Sequence, residues 1–388
     1  MEIYIVQPGD SVDSIADAFQ IPVQELIYVN QLIPPYALAL GQSLLITTSV
    51  SEPLPAAKNA ISSGDLFSFG YAYPYISPWV LDQTLPFLSE LYIFSYGFTW
   101  EGNLIPPVLD DSWMIEAAAN AGVPSILTLT PLGPDGNFNN ALITSVVQNP
   151  SYKNNLIRQL LVVLEEKGFS GVDVDFEYIL VTDRDAFTAF VSDLADALHS
   201  RGYRISIALA PKTSADQPGL LYEGKDYRAL GAAVDSVLLM TYEWGYKYGP
   251  NMAVAPLNMV RRVVEYAVTE IPTEKICLGI PNYGYDWPLP FLQGMTVATT
   301  IGNVEAVQIA ISNGAVILFD PTAQSPYFHY LSQNQVWHEV WFEDVRSIQA
   351  KFELIKEFGL RGAGYWQLMR WWRSNWVLMT GNFQILKF

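Results

Sequence analysis

The sequence predicts an α/β fold: a (β/α)8 TIM barrel with a small lobe inserted after its seventh strand, preceded by a small module of two strands and two helices. From about residue 64 onward, apolar runs of strand length alternate with amphipathic helical stretches, and this unit recurs eight times. Such repeats close into a barrel whose active site lies at the carboxyl ends of the strands. Alternating acidic residues at one predicted strand end support this fold, because acids in a buried strand are costly unless they line a cavity.

The predicted barrel strands are apolar runs at residues 67–76, 91–98, 124–130, 171–177, 204–210, 236–242, 275–281 and 362–366. Between them, apolar residues recur at helical spacing, for example across 157–164. Residues 296–341 interrupt this rhythm with further short apolar runs, so they are predicted to be the inserted lobe of a domain spanning 64–388. The preceding stretch, 49–63, is rich in Ser, Pro and Ala without periodicity and is predicted to be a linker.

Residues 1–48 are predicted to form the small module. A short strand and a turn precede apolar residues at helical spacing, and Asp10 or Ser11 would cap that first helix. A second helix around Val23–Val29 and a closing strand near Leu45–Thr47 complete a strand-helix-helix-strand unit.

Composition narrows the possible partners. The formal net charge of −18 argues against nucleic acid and anionic membranes, because both would repel such a surface. No apolar run approaches the ~20 residues of a membrane span, so membrane insertion is not expected. The opening Met1-Glu2-Ile3-Tyr4 runs directly into a structured pattern, so we expect no signal peptide.

Neither a disulfide nor a metal is expected. Cys277 is the single cysteine, and His199, His329 and His338 show no metal-ligand spacing. We therefore expect no cofactor. The chain has 22 Tyr and 11 Trp, and aromatic side chains stack on the apolar faces of sugars, although most of them in a large domain belong to the core.

The alternating acids are Asp173, Asp175 and Glu177, which a strand would place on one face. Residues two apart on a strand lie roughly 6.6–7 Å apart at the backbone, so the three carboxylates do not all ionise freely. We expect one of them to hold its proton near neutral pH. A protonated carboxyl beside an ionised one can protonate a leaving oxygen while its neighbour stabilises positive charge, which is glycosidase chemistry. A calcium site or a solvated acidic edge is the alternative.

Residues 170–177, Ser-Gly-Val-Asp-Val-Asp-Phe-Glu, resemble the D-G-x-D-x-D-x-E signature of glycoside hydrolase family 18, the chitinase-like enzymes. Ser170 replaces the first Asp of that signature, whereas Glu177 keeps the position of the general acid/base. The resemblance implies a retaining mechanism in which the substrate's own 2-acetamido oxygen is the nucleophile. It also implies that Asp175 orients the acetamido group and that Asp173 tunes Asp175.

Two other predicted strand ends carry residues to which the resemblance assigns roles. Tyr242, after the sixth strand, would hold the acetamido group during catalysis, and Trp366, at the end of the eighth, would form the floor under the cleaved sugar. Family members often have Asp where this chain has Glu243, which is one methylene longer and is a candidate substrate contact. Further candidates for groove lining, with barrel packing as the alternative, are Tyr283, Tyr285, Trp287 and Tyr96.

The module resembles a LysM domain through Val6-Gln7-Pro8-Gly9-Asp10-Ser11, Asn30-Gln31-Leu32 and Leu40-Gly41-Gln42-Ser43-Leu44. The resemblance implies binding of polymers that contain N-acetylglucosamine, such as peptidoglycan and chitin. A small stabilising cap is the alternative. The residues expected to contact glycan lie in two loops and are Gly9, Asp10, Ser11, Leu32 and Ile33.

Stretches along nearly the whole chain, including 208–216 and 340–351, look like the bacterial spore-germination and cortex-lytic N-acetylglucosaminidases. That likeness implies hydrolysis of β-1,4 bonds after N-acetylglucosamine in spore-cortex peptidoglycan. It also implies synthesis in the cytoplasm followed by deposition in the spore coat or cortex. Two alternatives stay open: a chitinase, and a non-catalytic glycan-binding coat protein.

Overall fold

The computed structural model describes residues 1–47 and 64–388. The predicted linker at 49–63, together with residue 48, lies outside the described residues. Within the two described ranges, no helix combines the length and the apolar character that crossing a membrane requires.

The amino-terminal module has the predicted strand-helix-helix-strand order. Its elements are β1 (Glu2–Ile5), α1 (Val12–Phe19), α2 (Val23–Val29) and β2 (Ser43–Ile46), and its two strands pair antiparallel. Ser11 caps α1, because its hydroxyl accepts a hydrogen bond from the Ser14 amide at 3.1 Å and Ser14 Oγ accepts one from the Ser11 amide at 2.9 Å. Apolar side chains of both helices and of β2 enclose a core of the module's own.

The larger domain is a closed parallel barrel. Its strands, in chain order, are β3 (Asp65–Ala72), β4 (Glu90–Phe98), β5 (Leu104–Ile105), β6 (Ser125–Leu129), β7 (Gly171–Val174), β8 (Arg204–Leu209), β9 (Ser236–Leu239), β10 (Ile276–Pro281), β11 (Gly284–Pro288), β12 (Thr299–Ile301), β13 (Leu318–Asp320), β14 (Ser325–Leu331), β15 (Trp337–Trp341), β16 (Gly362–Trp366) and β17 (Gln384–Ile385). Strands β3, β4, β6, β7, β8, β9, β10 and β16 pair in parallel in that order, and β16 pairs with β3 to close the ring. The predicted (β/α)8 barrel is confirmed.

Helices cover the outside of the barrel. They are α3 (Pro78–Thr84), α4 (Ser112–Asn120), α5 (Ala141–Gln148), α6 (Pro150–Lys167), α7 (Arg184–His199), α8 (Tyr227–Ala233), α9 (Leu257–Glu270), α11 (Val345–Phe358) and α12 (Arg373–Asn382), whereas α10 (Asn303–Ser312) packs in the inserted lobe. The longest of them, α6, buries an apolar stripe and ends at Gly168, whose φ of 79° lies in the left-handed region that glycine adopts without strain. The barrel interior is rich in aromatic side chains, among them Phe67, Phe69, Tyr92 and Phe94.

The inserted lobe begins earlier than the predicted boundary at residue 296. Strand β11 pairs antiparallel with β12 on one side and with β15 on the other, and β14 and β13 complete a five-stranded sheet. The lobe therefore starts at Gly284, directly after the seventh barrel strand. The sequence prediction placed this segment at the rim after the seventh strand, as groove lining, because the antiparallel partners that make it a lobe strand lie far along the chain.

The module packs on the lobe and on the last helix of the barrel. The Ile317 amide in the lobe donates to the Leu40 carbonyl oxygen at 2.8 Å. The Arg373 guanidinium at the start of α12 lies 3.5 Å from the ring centroid of Tyr28 and donates to the Tyr28 carbonyl oxygen at 3.0 Å. Gly41 allows the close approach, because a Cβ there would lie 1.9 Å from the Ile317 carbonyl oxygen. The two units thus share a tight interface.

Candidate active site

The acidic segment lies where β7 ends. The strand stops at Val174, so Asp175 and Glu177 follow it and do not share one strand face with Asp173 as predicted. The Asp175 amide still donates to the Leu129 carbonyl oxygen of β6 at 2.9 Å, which keeps this residue in line with the barrel wall. Asp173 is 0% exposed, Asp175 is 9% exposed, and Glu177 is solvent-exposed. The three acids therefore lead from the barrel interior to its mouth.

Asp173 is held by two hydroxyl donors from other barrel strands. Tyr71 on β3 donates to its Oδ2 at 2.9 Å, and Ser206 on β8 donates to its Oδ1 at 2.7 Å. Burial raises the pKa of Asp173 to about 6, although both hydrogen bonds favour the ionised form and lower it. The residue is fixed in place and cannot turn toward solvent without losing both donors.

Asp175 is the carboxyl whose proton is held most firmly. Burial raises its pKa well above the ordinary value, and the carboxylates of Glu177 and Asp173 raise it further, while the ammonium of Lys225 lowers it. Its Oδ1 is buried and has no hydrogen-bond partner among the described residues. Asp175 therefore holds its proton more firmly than a solvated aspartic acid does, which is the direction expected for one of the three acids.

Aromatic rings form a surface beside the acids. The ring of Trp366, the last residue of β16, lies 5.0 Å from Phe94, 5.6 Å from Tyr71 and 6.1 Å from Tyr73 between centroids. Tyr73 in turn stacks on Tyr75 at 5.1 Å. Trp366 is half-buried and Tyr75 is exposed, so the aromatic surface runs from the barrel mouth to solvent. Such rings can bind the flat, apolar face of a sugar.

Tyr242 and Glu243 follow β9 at the same rim. Gly279 on β10 makes room for Tyr242, because a Cβ there would lie 2.9 Å from the tyrosine ring. The Glu243 carboxylate accepts a hydrogen bond from Tyr283 and a second from Tyr285, the latter at 2.9 Å. Partial burial raises the pKa of Glu243, whereas the two hydroxyl donors lower it. The longer side chain at position 243 therefore has a defined place between two tyrosines.

The family model for glycosyl hydrolases family 18 matches residues 124–370, which is more than half of the chain and includes all three acids. The chain belongs to this family. A second model, that of the LysM domain, matches residues 4–47 and thus covers the amino-terminal module.

Relatives of this family 18 chain include spore enzymes over the full length. A "cortical fragment-lytic enzyme" of Bacillus subtilis is 35% identical over 430 aligned residues, covering 100% of this chain and 99% of the relative. The crystal structure of the "spore cortex-lytic enzyme SleL" of Bacillus megaterium superposes with a TM-score of 0.91 at 34% identity, covering 99% and 98% of the two chains. The Bacillus cereus SleL structure gives a TM-score of 0.81 at 35% identity, covering 99% of this chain and 87% of the other.

Two residues predicted to line the groove are buried in this family 18 chain, Tyr96 in the barrel and Trp287 in the lobe sheet against Tyr285. Tyr96 is 1% exposed and donates to Asp111 at 2.7 Å, on the outer side of the barrel against Phe169. Trp287 is 0% exposed, and its indole donates to the Gly249 carbonyl oxygen at 3.1 Å. Neither side chain presents a surface to a ligand. Both are aromatic residues next to a strand end, and the sequence pattern did not reveal which side of the strand they would face.

The candidate glycan contacts of the LysM module are only partly accessible. Gly9 and Ser11 are exposed, while Asp10 accepts hydrogen bonds from the Tyr4 hydroxyl and the Gln7 amide at 2.7 Å each. The side chain of Leu32 is buried in the module core. Ile33, by contrast, is 49% exposed and presents an apolar side chain to solvent.

Several residues at the acid site were not predicted from the sequence. Tyr71 and Ser206 bind Asp173, Tyr73 extends the aromatic surface, and Lys225 reaches the acids from the loop between β8 and α8. The alternating tyrosines at 71, 73 and 75 were a usable signal, since they mark one side of a strand at its carboxyl end. No sequence pattern around Lys225 indicates a role at the site, because this residue lies near the acids only once the chain is folded.

Proposed function

We propose that this chain hydrolyses the β-1,4 bond after N-acetylglucosamine in spore-cortex peptidoglycan. The observation that carries the proposal is the order of the three acids at the barrel mouth, from fully buried Asp173 through nearly buried Asp175 to exposed Glu177, beside the half-buried ring of Trp366. An exposed carboxyl at the rim can reach a glycosidic oxygen, while a buried partner can contact the sugar from below.

In the proposed mechanism, Glu177 gives the one proton that it shares with Asp175 to the glycosidic oxygen as the bond between that oxygen and the anomeric carbon breaks, which leaves Asp175 ionised. The 2-acetamido oxygen of the substrate attacks the anomeric carbon, as is known for substrate-assisted glycosidases. Asp175 orients the acetamido group and stabilises the resulting oxazolinium ion, and Tyr242 holds the acetamido oxygen for attack. Glu177 then takes a proton from a water molecule whose oxygen attacks the anomeric carbon, the bond from that carbon to the acetamido oxygen breaks, and the oxazolinium ring opens with net retention of configuration.

Trp366, Tyr283, Tyr285 and Glu243 are proposed to bind the sugar. Trp366 offers a ring face, while the tyrosine hydroxyls keep the Glu243 carboxylate at the rim. Tyr283 and Tyr285 are 3% and 6% exposed, so they act chiefly by holding Glu243.

The relatives support cortex peptidoglycan as the substrate, because two of them are named as spore cortex-lytic enzymes and align over nearly their whole length. The LysM module supports attachment to a glycan that contains N-acetylglucosamine, through Gly9, Asp10, Ser11 and Ile33. A single module is expected to bind weakly, so affinity for the polymer would come from the module and the barrel together. We propose that the protein acts in the spore cortex or coat.

The test compares wild type with Glu177→Gln on spore-cortex muropeptides, with products identified by mass spectrometry. Wild type alone should release fragments that end in reducing N-acetylglucosamine. Glu165→Gln, on the exposed outer face of α6, is the matched control and should cleave like wild type. Cleavage of chitin oligomers in preference to cortex fragments would favour a chitinase. Binding without cleavage by any variant would favour a non-catalytic glycan-binding protein.

A further inference from the structure

Lys225 is buried without a direct partner for its charge. It lies in the loop between β8 and α8, is 0% exposed, and its Nζ has no hydrogen-bond partner among the described residues. Two other buried lysines differ in this respect. Lys212 donates to the carbonyl oxygens of Ala215 and Lys225 at 3.0 and 3.2 Å, and Lys351 pairs with Glu343 at 2.8 Å. An isolated buried ammonium is costly, so another group must compensate Lys225.

The backbone of the loop brings Lys225 to the acidic segment. Gly224 packs so closely on that segment that a Cβ would lie 2.3 Å from the carbonyl oxygen of Ile179, two residues beyond Glu177. Only glycine permits this approach. The next residue, Lys225, therefore enters the barrel wall beside the chain that carries Asp175 and Glu177.

The charges that face Lys225 are Glu177, Asp175 and, from its own loop, Lys212. Burial lowers the pKa of Lys225 to about 8; the two carboxylates oppose that change and Lys212 adds to it. Asp175 in turn faces Asp173, Glu177 and Lys225, with the hydroxyls of three tyrosines nearby, namely Tyr71, Tyr73 and Tyr242. Lys225 is thus the cation among the groups that act on Asp175.

We propose that Lys225 is a positioning residue whose positive charge stabilises the ionised form of the Asp175–Glu177 pair and so makes Glu177 a stronger acid. With one proton on the pair, Lys225 balances the remaining negative charge. When Glu177 passes that proton to the glycosidic oxygen and the bond to the anomeric carbon breaks, the pair gains a second negative charge. The buried ammonium then offsets part of that charge.

This inference rests on the proposed hydrolase function, and its test is the dependence of kcat/KM on pH. The acidic and alkaline limbs of this profile report the apparent pKa values of the Asp175–Glu177 pair, which titrates as a coupled unit. Because a nearby cation favours ionised carboxyls, Lys225→Met should move both limbs to higher pH, by roughly 1 pH unit. Lys225→Gln provides a second uncharged variant, and Lys225→Arg should restore the wild-type limbs because it keeps the charge. Thermal unfolding of each variant checks that it is folded.

Lys275→Met is the matched control, because it removes a lysine whose ammonium is bound by backbone carbonyl oxygens and which precedes β10, at the end of the barrel opposite to the acids. Its limbs should stay where those of wild type lie. The inference would be overturned if Lys225→Met and Lys225→Gln fold but both limbs of their kcat/KM profiles stay at the wild-type pH values. Any loss of kcat/KM would then be equal at all pH values, and Lys225 would have only a packing role. A wild type that cleaves no N-acetylated glycan would instead overturn the proposed function.

Discussion

Tyr71 donates a hydrogen bond to Asp173 across the interior of the barrel, at 2.9 Å between Oη and Oδ2. The contact links β3 to β7, which are not neighbours in the sheet. Asp173 is 0% exposed, and a buried carboxylate needs hydrogen-bond donors, which hydroxyls from facing strands supply here. The innermost acid, Asp173, is therefore fixed by the strands themselves, whereas Asp175 and Glu177 follow the end of β7.

Asp173 should lower the stability of the folded chain at neutral pH. Its folded pKa of about 6 lies above the ordinary value of 3.8, so the native state binds more protons than the unfolded state between these two values. Stability from this group is thus greatest below about pH 4 and is lost as pH rises through 6. The difference of about 2 between the folded and unfolded pKa values corresponds to about 3 kcal/mol in the free energy of unfolding. About 2 kcal/mol of this is lost between pH 4.5 and pH 7.5.

Asp173→Asn removes this titration, so the free energy of unfolding of the variant relative to wild type should rise by about 2 kcal/mol between pH 4.5 and pH 7.5. Urea unfolding at the two pH values measures it. Tyr71→Phe should change the pH dependence of stability in the opposite direction, because loss of the tyrosine hydroxyl donor raises the pKa of Asp173 further. That variant should be destabilised more at pH 7.5 than at pH 4.5. Equal effects at both pH values in the two variants would contradict the assignment.

Glu243→Asp should lower kcat/KM about tenfold, because the shorter side chain cannot keep both hydroxyl donors and a hydrogen bond to a charged group is worth about 1.5–3 kcal/mol. The loss should appear mainly as a higher KM if Glu243 binds substrate. Steady-state kinetics on cortex muropeptides separates KM from kcat. Glu165→Asp, on the exposed face of α6, is the matched control. Unchanged kinetics in Glu243→Asp would remove this residue from the proposed substrate site.

The elements that sequence reasoning found are those with local periodicity. The eight strands follow from apolar runs between amphipathic helices, and the acids follow from their spacing. The features that sequence reasoning could not predict depend on contacts between segments that are distant along the chain. The side that Tyr96 and Trp287 face is set by packing against α-helical and lobe residues, and the start of the lobe at Gly284 is set by the distant partner strand β15. Local pattern carries no information on either point.

Ile33 offers a test of the LysM module that is independent of catalysis. Its side chain is 49% exposed in a loop where Leu32 is buried, so Ile33→Ser removes apolar contact surface without opening the module core. Losing such a contact costs about 1 kcal/mol, which corresponds to roughly fivefold weaker binding. Co-sedimentation with insoluble cortex peptidoglycan, in a Glu177→Gln background that prevents digestion, measures the retained fraction.

Val162→Ser is the matched control for Ile33→Ser, because Val162 is 46% exposed and lies on α6, on the outside of the barrel. Only Ile33→Ser should weaken sedimentation, and its activity on soluble muropeptides should stay at the wild-type level when Glu177 is intact. A module that served only as a stabilising cap would give equal sedimentation for both variants. Weaker binding of polymer with unchanged cleavage of soluble fragments would instead separate the two units by function: the module attaches the enzyme, and the barrel cleaves.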